Sequence, residues 1–217
     1  MAASGVTNYQ QNKVRVDWLR RGQTFTQLTN TFIALLTSTK GPRVNSATYA
    51  VNDTISLTAN DGKTHLYKCT AITTGVASAA QSTLYPGANN EAIVDTGATF
   101  TEQDAALRVG TGGAVVEASY TGYARVTYAA SLANWAGTQG AGTAVASTGL
   151  GGVTSNNNAI TFGAPTSGPS FIWGAAEFDA LTVGNMLDFE ALTTVKTLNN
   201  GDAAPSFAAG SLSFTEQ

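Results

Sequence analysis

Short apolar segments, separated by glycine, asparagine and proline turns, run through most of the chain and constrain its fold more than any other feature. The segments are rich in Val, Ile, Tyr, Phe and Thr, which favour strands. Outside residues 7–22, where Thr7 or Asn8 caps a start and Gly22 an end, no stretch has a convincing helical pattern. We therefore predict an all-β protein, an antiparallel β-sandwich of the jelly-roll or immunoglobulin-like type with a short N-terminal helix.

The pattern also divides the chain into a core domain and an inserted module. Residues 1–43 and 104–217 carry the longer apolar segments, and together they predict the sandwich with its helix. Residues 44–103 follow the turn signal at Gly41-Pro42 and contain fewer apolar residues, so they predict a small β module with a thin core.

Individual strands can be placed from periodicity. Residues 30–39 form an apolar run that predicts a strand buried on both faces. Residues 64–72 alternate, which places His65, Tyr67 and Cys69 on one face of a strand. Further strands are predicted within 92–103, 113–122, 123–131, 159–163, 171–180, 185–194 and 211–216.

Composition excludes several classes of function. Only 12% of residues are charged and the net charge is −3, without the basic stripe that nucleic-acid binding requires. The single cysteine, Cys69, cannot form an internal disulfide, and the single histidine, His65, argues against the common zinc sites and a Ser-His-Asp triad. Because neither a signal peptide nor an apolar run of membrane-spanning length is present, we expect a soluble protein made in a reducing cytoplasm. We also expect no cofactor and no metal.

Four carboxylates in residues 171–194 raise the question of a catalytic pair. A hairpin centred on Val183–Gly184 would place all four acids on one face of the sheet, opposite the apolar residues. This register pairs Asp179 with Asp188, Glu177 with Glu190 and Phe178 with Phe189. We predict a solvated or partner-facing surface with Asp179 bonding the amides of its turn. A Ca²⁺ site or a glycosidase pair is the alternative, but nothing else in the sequence builds a cleft.

A glycine-rich segment, residues 135–158, predicts a long loop or arm that contacts a partner. Trp135 opens the segment and is the best candidate for an anchor in that contact. The candidate partner-interface residues are Trp135, Gly137, Gly140, Gly142, Glu177 and Glu190.

The order of several motifs resembles that of small virion proteins of tailed bacteriophages, usually labelled phage tail fibre proteins. These motifs are Asn8-Tyr9 through Gly22, "TFIALLTST", "TGYARVTY", "SNNNAITFG", "IWGAAEFDA", "VGNMLDFEAL", "TVKTLNNGD" and "SFAAGSLSFTE". The resemblance covers both ends of the chain, about two thirds of it, and some relatives of this kind are head decoration (cement) proteins. It implies a helix over 8–21 and a turn role for Asp179, Gly184 and Asn185.

The inserted module has a resemblance of its own. Its "LYKCTAITTG" and "DTGATF" segments are similar to small β modules of phage fibres and sugar-binding proteins, with Phe100 at the position of an aromatic residue. This resemblance implies a glycan contact through an exposed patch of Tyr67, Tyr85 and Phe100.

Together these features predict a non-enzymatic phage structural protein, made in the host bacterial cytoplasm and located in the virion on the outer capsid surface. The favoured role is capsid decoration, in which homotrimers clamp neighbouring major capsid subunits. Many modest contacts would add up through avidity. The alternative is a tail fibre or receptor-binding subunit that contacts host surface glycan. A third hypothesis, a glycan hydrolase, is supported only by the four acidic residues.

Overall fold

The computed structural model describes residues 4–13, 28–76, 85–87, 91–109, 116–136 and 153–215. These residues form two short helices, α1 and α2, and fourteen strands, β1 to β14. In chain order they are β1 Ser4–Val6, α1 Asn8–Gln11, β2 Asn30–Ser38, β3 Thr54–Thr58, β4 Thr64–Ile72, β5 Ala92–Asp95, β6 Ala98–Glu102, α2 Asp104–Val109, β7 Val126–Ala129, β8 Trp135–Ala136, β9 Val153–Asn156, β10 Ile160–Thr161, β11 Ser170–Phe178, β12 Met186–Leu198, β13 Ser206–Phe207 and β14 Ser213–Thr215. The prediction of an all-β sandwich is confirmed.

A five-stranded antiparallel sheet forms the centre of the molecule, with the strand order β1-β12-β11-β2-β7. The apolar run predicted as a doubly buried strand is β2, which pairs with β11 on one side and β7 on the other. Because it lies inside the sheet with both faces covered, all but two of its residues are buried. This is why the run shows no polar alternation.

One face of the central sheet packs against two small sheets, β10-β13 and β14-β9-β8. Ile33, Leu35 and Ile172 of the central sheet meet Phe162 and Phe214 from this second layer. The two layers enclose one hydrophobic core, as two sheets with alternating inward side chains do.

The opposite face is covered by α2 and by a strand of the inserted segment. Leu107 of α2 and Leu66 of β4 pack with Leu36, Trp173 and Phe189 of the central sheet. The segment therefore rests on the sandwich through an apolar contact.

The inserted segment contains its own antiparallel sheet, β3-β4-β6-β5. The predicted alternation of β4 is confirmed: Tyr67 and Cys69 point into a separate core, and Leu66 points away from it to the central sheet. The domain boundaries at 43 and 103 stay a prediction.

Two differences from the sequence-based expectation, and one agreement with it, concern single elements. Residues 116–122 of the predicted strand 113–122 form no strand, although they run beside β2: Glu117 and Leu36 form an isolated bridge, and the Ala118 amide donates to the Leu35 carbonyl at 2.9 Å. A short helix, α2, stands where none was predicted. The N-terminal helix begins at Thr7, as predicted, with the threonine side chain accepting a hydrogen bond from the Gln10 amide at 3.4 Å; its continuation past residue 13 lies outside the described residues.

Within the described residues, no helix has the length and apolar character needed to cross a bilayer.

Candidate functional site

The β11–β12 hairpin, which carries the four carboxylates, does not pair in the predicted register. Glu177 lies opposite Asp188, and Glu190 lies opposite Ala175. A bulge between Glu177 and the next residue shifts the pairing, so that Phe178 faces Met186. The predicted pairs of Glu177 with Glu190, Asp179 with Asp188 and Phe178 with Phe189 are wrong, because the turn spans residues 180–184 instead of centring on Val183–Gly184: the Asp179 amide donates to the Asn185 carbonyl at 3.1 Å.

The turn of this hairpin is longer than a two-residue turn and is closed by Asp179. Its Oδ1 accepts a hydrogen bond from the Asn185 amide at 2.7 Å, and its Oδ2 accepts one from Asn185 Nδ2 at 2.9 Å. Val183 and Gly184 both have a positive φ, a conformation that glycine tolerates best. The turn role predicted for Asp179, Gly184 and Asn185 is confirmed.

Arg125 holds the same turn from the neighbouring part of the chain. Its Nη1 donates hydrogen bonds to the carbonyls of Ala180 at 2.6 Å and Val183 at 2.8 Å. Its Nε donates to Glu117 Oε2 at 3.0 Å, and its guanidinium lies 3.6 Å above the centre of the Phe178 ring. Such a forked, stacked arginine fixes the geometry of the turn in a way lysine could not.

The carboxylates of the hairpin are less hydrated than predicted. Asp188 is buried, and Glu177 and Glu190 are half-buried. Burial, with smaller contributions from Glu177 and Glu190, raises the pKa of Asp188 to about 8. Burial also raises the pKa of Glu177, against a hydrogen bond from Thr31. The expectation of a solvated face is therefore wrong for Asp188, which desolvation keeps protonated at neutral pH.

A groove of about 300 Å³ lies elsewhere on the molecule. Its wall includes Leu192 and Lys196 of β12. In this part of β12 the pairing with β11 is irregular, because four residues, 192–195, lie opposite a single residue of β11. The remaining wall comes mainly from Phe162 and Phe207 of the second layer. The acids of the hairpin do not line this groove, so it does not provide the cleft that a glycosidase pair requires.

The aromatic residues proposed to bind glycan are buried. Tyr67, Tyr85 and Phe100 are at most 1% exposed, and they form the core of the inserted sheet with edge-to-face packing of Tyr67 on Tyr85 at 5.1 Å. The predicted exposed patch is wrong. Strand alternation put these side chains on one face, but the module folds this face inward because its few large apolar residues must supply a core.

A buried ion pair ties this core together. Arg43 Nε donates to Asp95 Oδ2 at 2.7 Å, and the Tyr85 hydroxyl donates to the same oxygen at 2.7 Å. Both charged side chains are 1% exposed. Loss of one partner would leave an uncompensated charge in the interior.

A second buried polar cluster surrounds the only histidine of the chain. His65 Nδ1 lies 3.3 Å from Glu102 Oε1 and 3.4 Å from Asp104 Oδ2, and Nε2 lies 3.1 Å from Asp61 Oδ2. His65, Glu102 and Asp104 are all buried. The pairing of β4 with β6 and the start of α2 bring these groups together from distant positions in the sequence.

The electrostatics of this cluster are governed by excess negative charge. Burial alone would lower the pKa of His65, but hydrogen bonds to Asp104, Glu102 and Asp61 outweigh it and raise the pKa to about 10. Burial, opposed by His65 and supported by Glu102, raises the pKa of Asp104 to about 7. The three residues whose donor atoms converge could hold a metal ion.

The predicted partner-interface residues are dispersed. Trp135 lies in β8, half-buried, and packs edge-to-face on Tyr128 at a centroid distance of 5.0 Å. Glu177 and Glu190 lie on the central sheet. Gly137, Gly140 and Gly142 lie outside the described residues.

Sequence reasoning missed Arg125 and the His65 cluster. Arg125 stands in the "TGYARVTY" motif, so the motif marked its position but not its role. The cluster gave no local signal, because its acids lie four, 37 and 39 positions from His65 and only the strand pairing unites them.

Comparison with known families places this fold among phage proteins. The family described as "Podophage GP4 fiber I protein gp80" matches residues 99–215, more than half of the chain. The match begins within β6 and includes α2 and every strand from β7 to β14. No curated protein shows significant similarity to the chain. The chain therefore belongs to the podophage GP4 fiber I protein gp80 family.

Proposed function

We propose that this chain is a non-enzymatic structural subunit of a podophage fibre, and that it acts through contacts with copies of itself and with other virion proteins. The observation that carries the proposal is the family match over residues 99–215, which covers most of the sandwich rather than a short motif. A phage virion structural protein is what this family supports.

The geometry agrees with a structural role in two respects. Of the hairpin acids, Asp188 is buried and the others are half-buried, and none of them lines the groove, so carboxyls and groove do not combine into a reaction site. Specific polar contacts of the chain also fix its own turns, as the hydrogen bonds from Arg125 to the carbonyls of Ala180 and Val183 do. A subunit that must present a fixed surface to its neighbours gains from such rigidity.

The proposed contacts are those indicated by the sequence. Trp135 and segment 137–152 form one region, since the segment joins the paired strands β8 and β9. Glu177 and Glu190 form the other, on the central sheet.

Capsid decoration is the second candidate, with the major capsid protein as the partner. The low share of charged residues, 12%, favours it, because a protein lying flat across its neighbours has to desolvate a wide surface. The two roles share the location in the virion and differ in copy number.

Quantitative mass spectrometry of purified virions separates these roles. We expect a copy number far below that of the major capsid protein, together with density for the chain on the tail in cryo-electron micrographs. A copy number close to that of the major capsid protein would instead establish decoration. Absence from purified particles would overturn both.

A further inference from the structure

The cluster around His65 has the geometry of a compact metal site. The Nδ1 atom of His65 lies 3.3 Å from Glu102 Oε1 and 3.4 Å from Asp104 Oδ2, and all three donor atoms lie within 4.8 Å of one another. Ligands about 2.0–2.2 Å from a tetrahedral zinc ion are separated from each other by about 3.3–3.6 Å. The two distances at the imidazole match that separation.

The other nitrogen of the imidazole has the partner that metal-bound histidines usually have. His65 Nε2 lies 3.1 Å from Asp61 Oδ2, so a neutral imidazole would donate its proton there and direct the Nδ1 lone pair at Glu102 and Asp104. Asp61 itself is held by the Lys63 amide, which donates to Oδ1 at 2.9 Å. Its side chain is 24% exposed, so the cluster lies next to the protein surface on the Asp61 side.

One oxygen of the cluster lacks a partner. Asp104 is only 2% exposed, and its Oδ1 atom is buried and receives no hydrogen bond from any residue that the structure describes. A buried acceptor without a donor costs about 1–3 kcal/mol, more when it carries charge. A cation beside the carboxylate would remove this cost and would offset the excess of three carboxylates over one imidazole.

We propose that His65 Nδ1, Glu102 Oε1 and the Asp104 carboxylate bind a divalent transition-metal ion, with zinc the best fit, and that Asp61 positions the imidazole. A nitrogen donor and short donor separations favour zinc over Ca²⁺, which takes six to eight oxygens at longer distances. Without metal, the imidazole carries a proton on each nitrogen. On binding, the Nδ1 proton is released to solvent and the metal takes its place, while the Nε2 proton stays and is donated to Asp61. The ion would join β4, β6 and the start of α2, and so would reinforce a module with a thin core.

The test uses the full, untagged chain after removal of metals with a chelator. Titration with zinc is followed by calorimetry and by the imidazole NMR signals, which need no assignment because His65 is the only histidine. We expect one zinc ion per chain, a change in the imidazole signals that saturates at that ratio, and a rise in Tm of several degrees. The same concentration of Mg²⁺ should change none of these.

Variants locate the ion. Asp104→Asn and Glu102→Gln should weaken zinc binding at least tenfold, and Asp61→Asn, a positioning change, should weaken it about tenfold. Tyr85→Phe is the matched control, because it removes a buried hydrogen bond from the same module, to Asp95, and should leave zinc affinity unchanged.

The proposal is overturned if the wild-type chain binds no zinc, if zinc leaves the imidazole signals unchanged, or if Asp104→Asn and Glu102→Gln bind it as tightly as wild type. Should these variants not fold, the NMR titration of the wild-type chain decides alone, because only His65 can produce its signal.

Discussion

Among single residues, Asp188 departs most from what its sequence position suggests. It stands among alternating apolar and acidic residues, a pattern that predicts a wet face, yet it is 5% exposed. Its Oδ1 accepts a hydrogen bond from the Phe189 amide at 2.8 Å, and Glu177, Glu190 and Arg108 are the charged groups that act on it. The alternating pattern correctly placed Asp188 on the face of the hairpin opposite Phe189, but it could not show that Asp188 is buried on that face.

Asp188 should make the protein less stable as pH rises. Its folded pKa is raised from 3.8 to about 8, so between these values the folded state holds a proton that the unfolded state has lost. Stability from this group is therefore present at low pH and lost as pH rises towards 8, with a slope of at most about 1.4 kcal/mol per pH unit. Asp188→Asn, which keeps the acceptor for Phe189, should remove this slope and stabilise the protein above pH 8.

Urea unfolding at a series of pH values from 5 to about 9 measures this effect as the difference between Asp188→Asn and wild type. Asp202→Asn is the control, since Asp202 also accepts a backbone hydrogen bond, from Asn199 at 2.7 Å, but is exposed. Parallel pH profiles for wild type and Asp188→Asn would show that Asp188 is ionised in the folded protein.

At the level of elements, strand existence was predictable and strand register was not. β2 and β4 follow from an apolar run and from alternation, because each pattern reflects which faces are covered. Gly174 adjoins one of the two irregularities of the β11–β12 pairing, but a single glycine inside a strand does not give the size of a register shift, and the other irregularity has no glycine beside it. The helix α2 was missed because six residues at a module boundary give too short a pattern to distinguish a helix.

The connection between β8 and β9 can be shortened to test the role of residues 137–152. Trp135 pairs with Asn156 and Ala136 with Ser155, so a four-residue Ser-Thr-Asn-Gly linker can replace residues 137–152: its first two residues fit opposite Thr154 and Val153, and Asn-Gly forms the turn. We expect the shortened protein to keep its fold and to gain up to about 2 kcal/mol from reduced loop-closure entropy. We also expect it to lose incorporation into virions, because the proposed contact is gone.

Thermal unfolding and complementation of a phage lacking the gene give these two readouts. A Gly/Ser linker of native length serves as the control, since it restores the length of the connection without its sequence. Normal incorporation of the shortened protein would remove segment 137–152 from the proposed interface.

At the scale of the whole molecule, the described residues form a sandwich with an apolar cluster on each face of its central sheet, and an inserted sheet with a cluster of its own. The inserted sheet has its own core of aromatic residues and two buried polar clusters, and Leu66 on its outer face reaches the central sheet. Sequence composition predicts a separate module, because apolar residues become sparse at residue 44 and return after 103, and this division stays a prediction. It could not indicate which residue makes the contact, since Leu66 sits in an alternating strand like any outward-facing position.

Leu66→Ala should separate the unfolding of the inserted sheet from that of the sandwich. Leu66 is fully buried against Leu36 and Trp173, so its truncation should cost about 2–5 kcal/mol and weaken the junction most. Trp135 and Trp173 lie in strands β8 and β11 of the sandwich, so their fluorescence reports its unfolding, while the single imidazole reports the inserted sheet. We expect the two probes to give the same transition in wild type and different transitions in Leu66→Ala, with the module unfolding first.

Leu57→Ala is the control. Leu57 lies inside the module's own core, so its truncation should lower the common midpoint without dividing the transition. Coincident transitions in Leu66→Ala would contradict this expectation and would mean that the backbone hydrogen bonds between residues 40–43 and β3 keep the segment part of one cooperative domain.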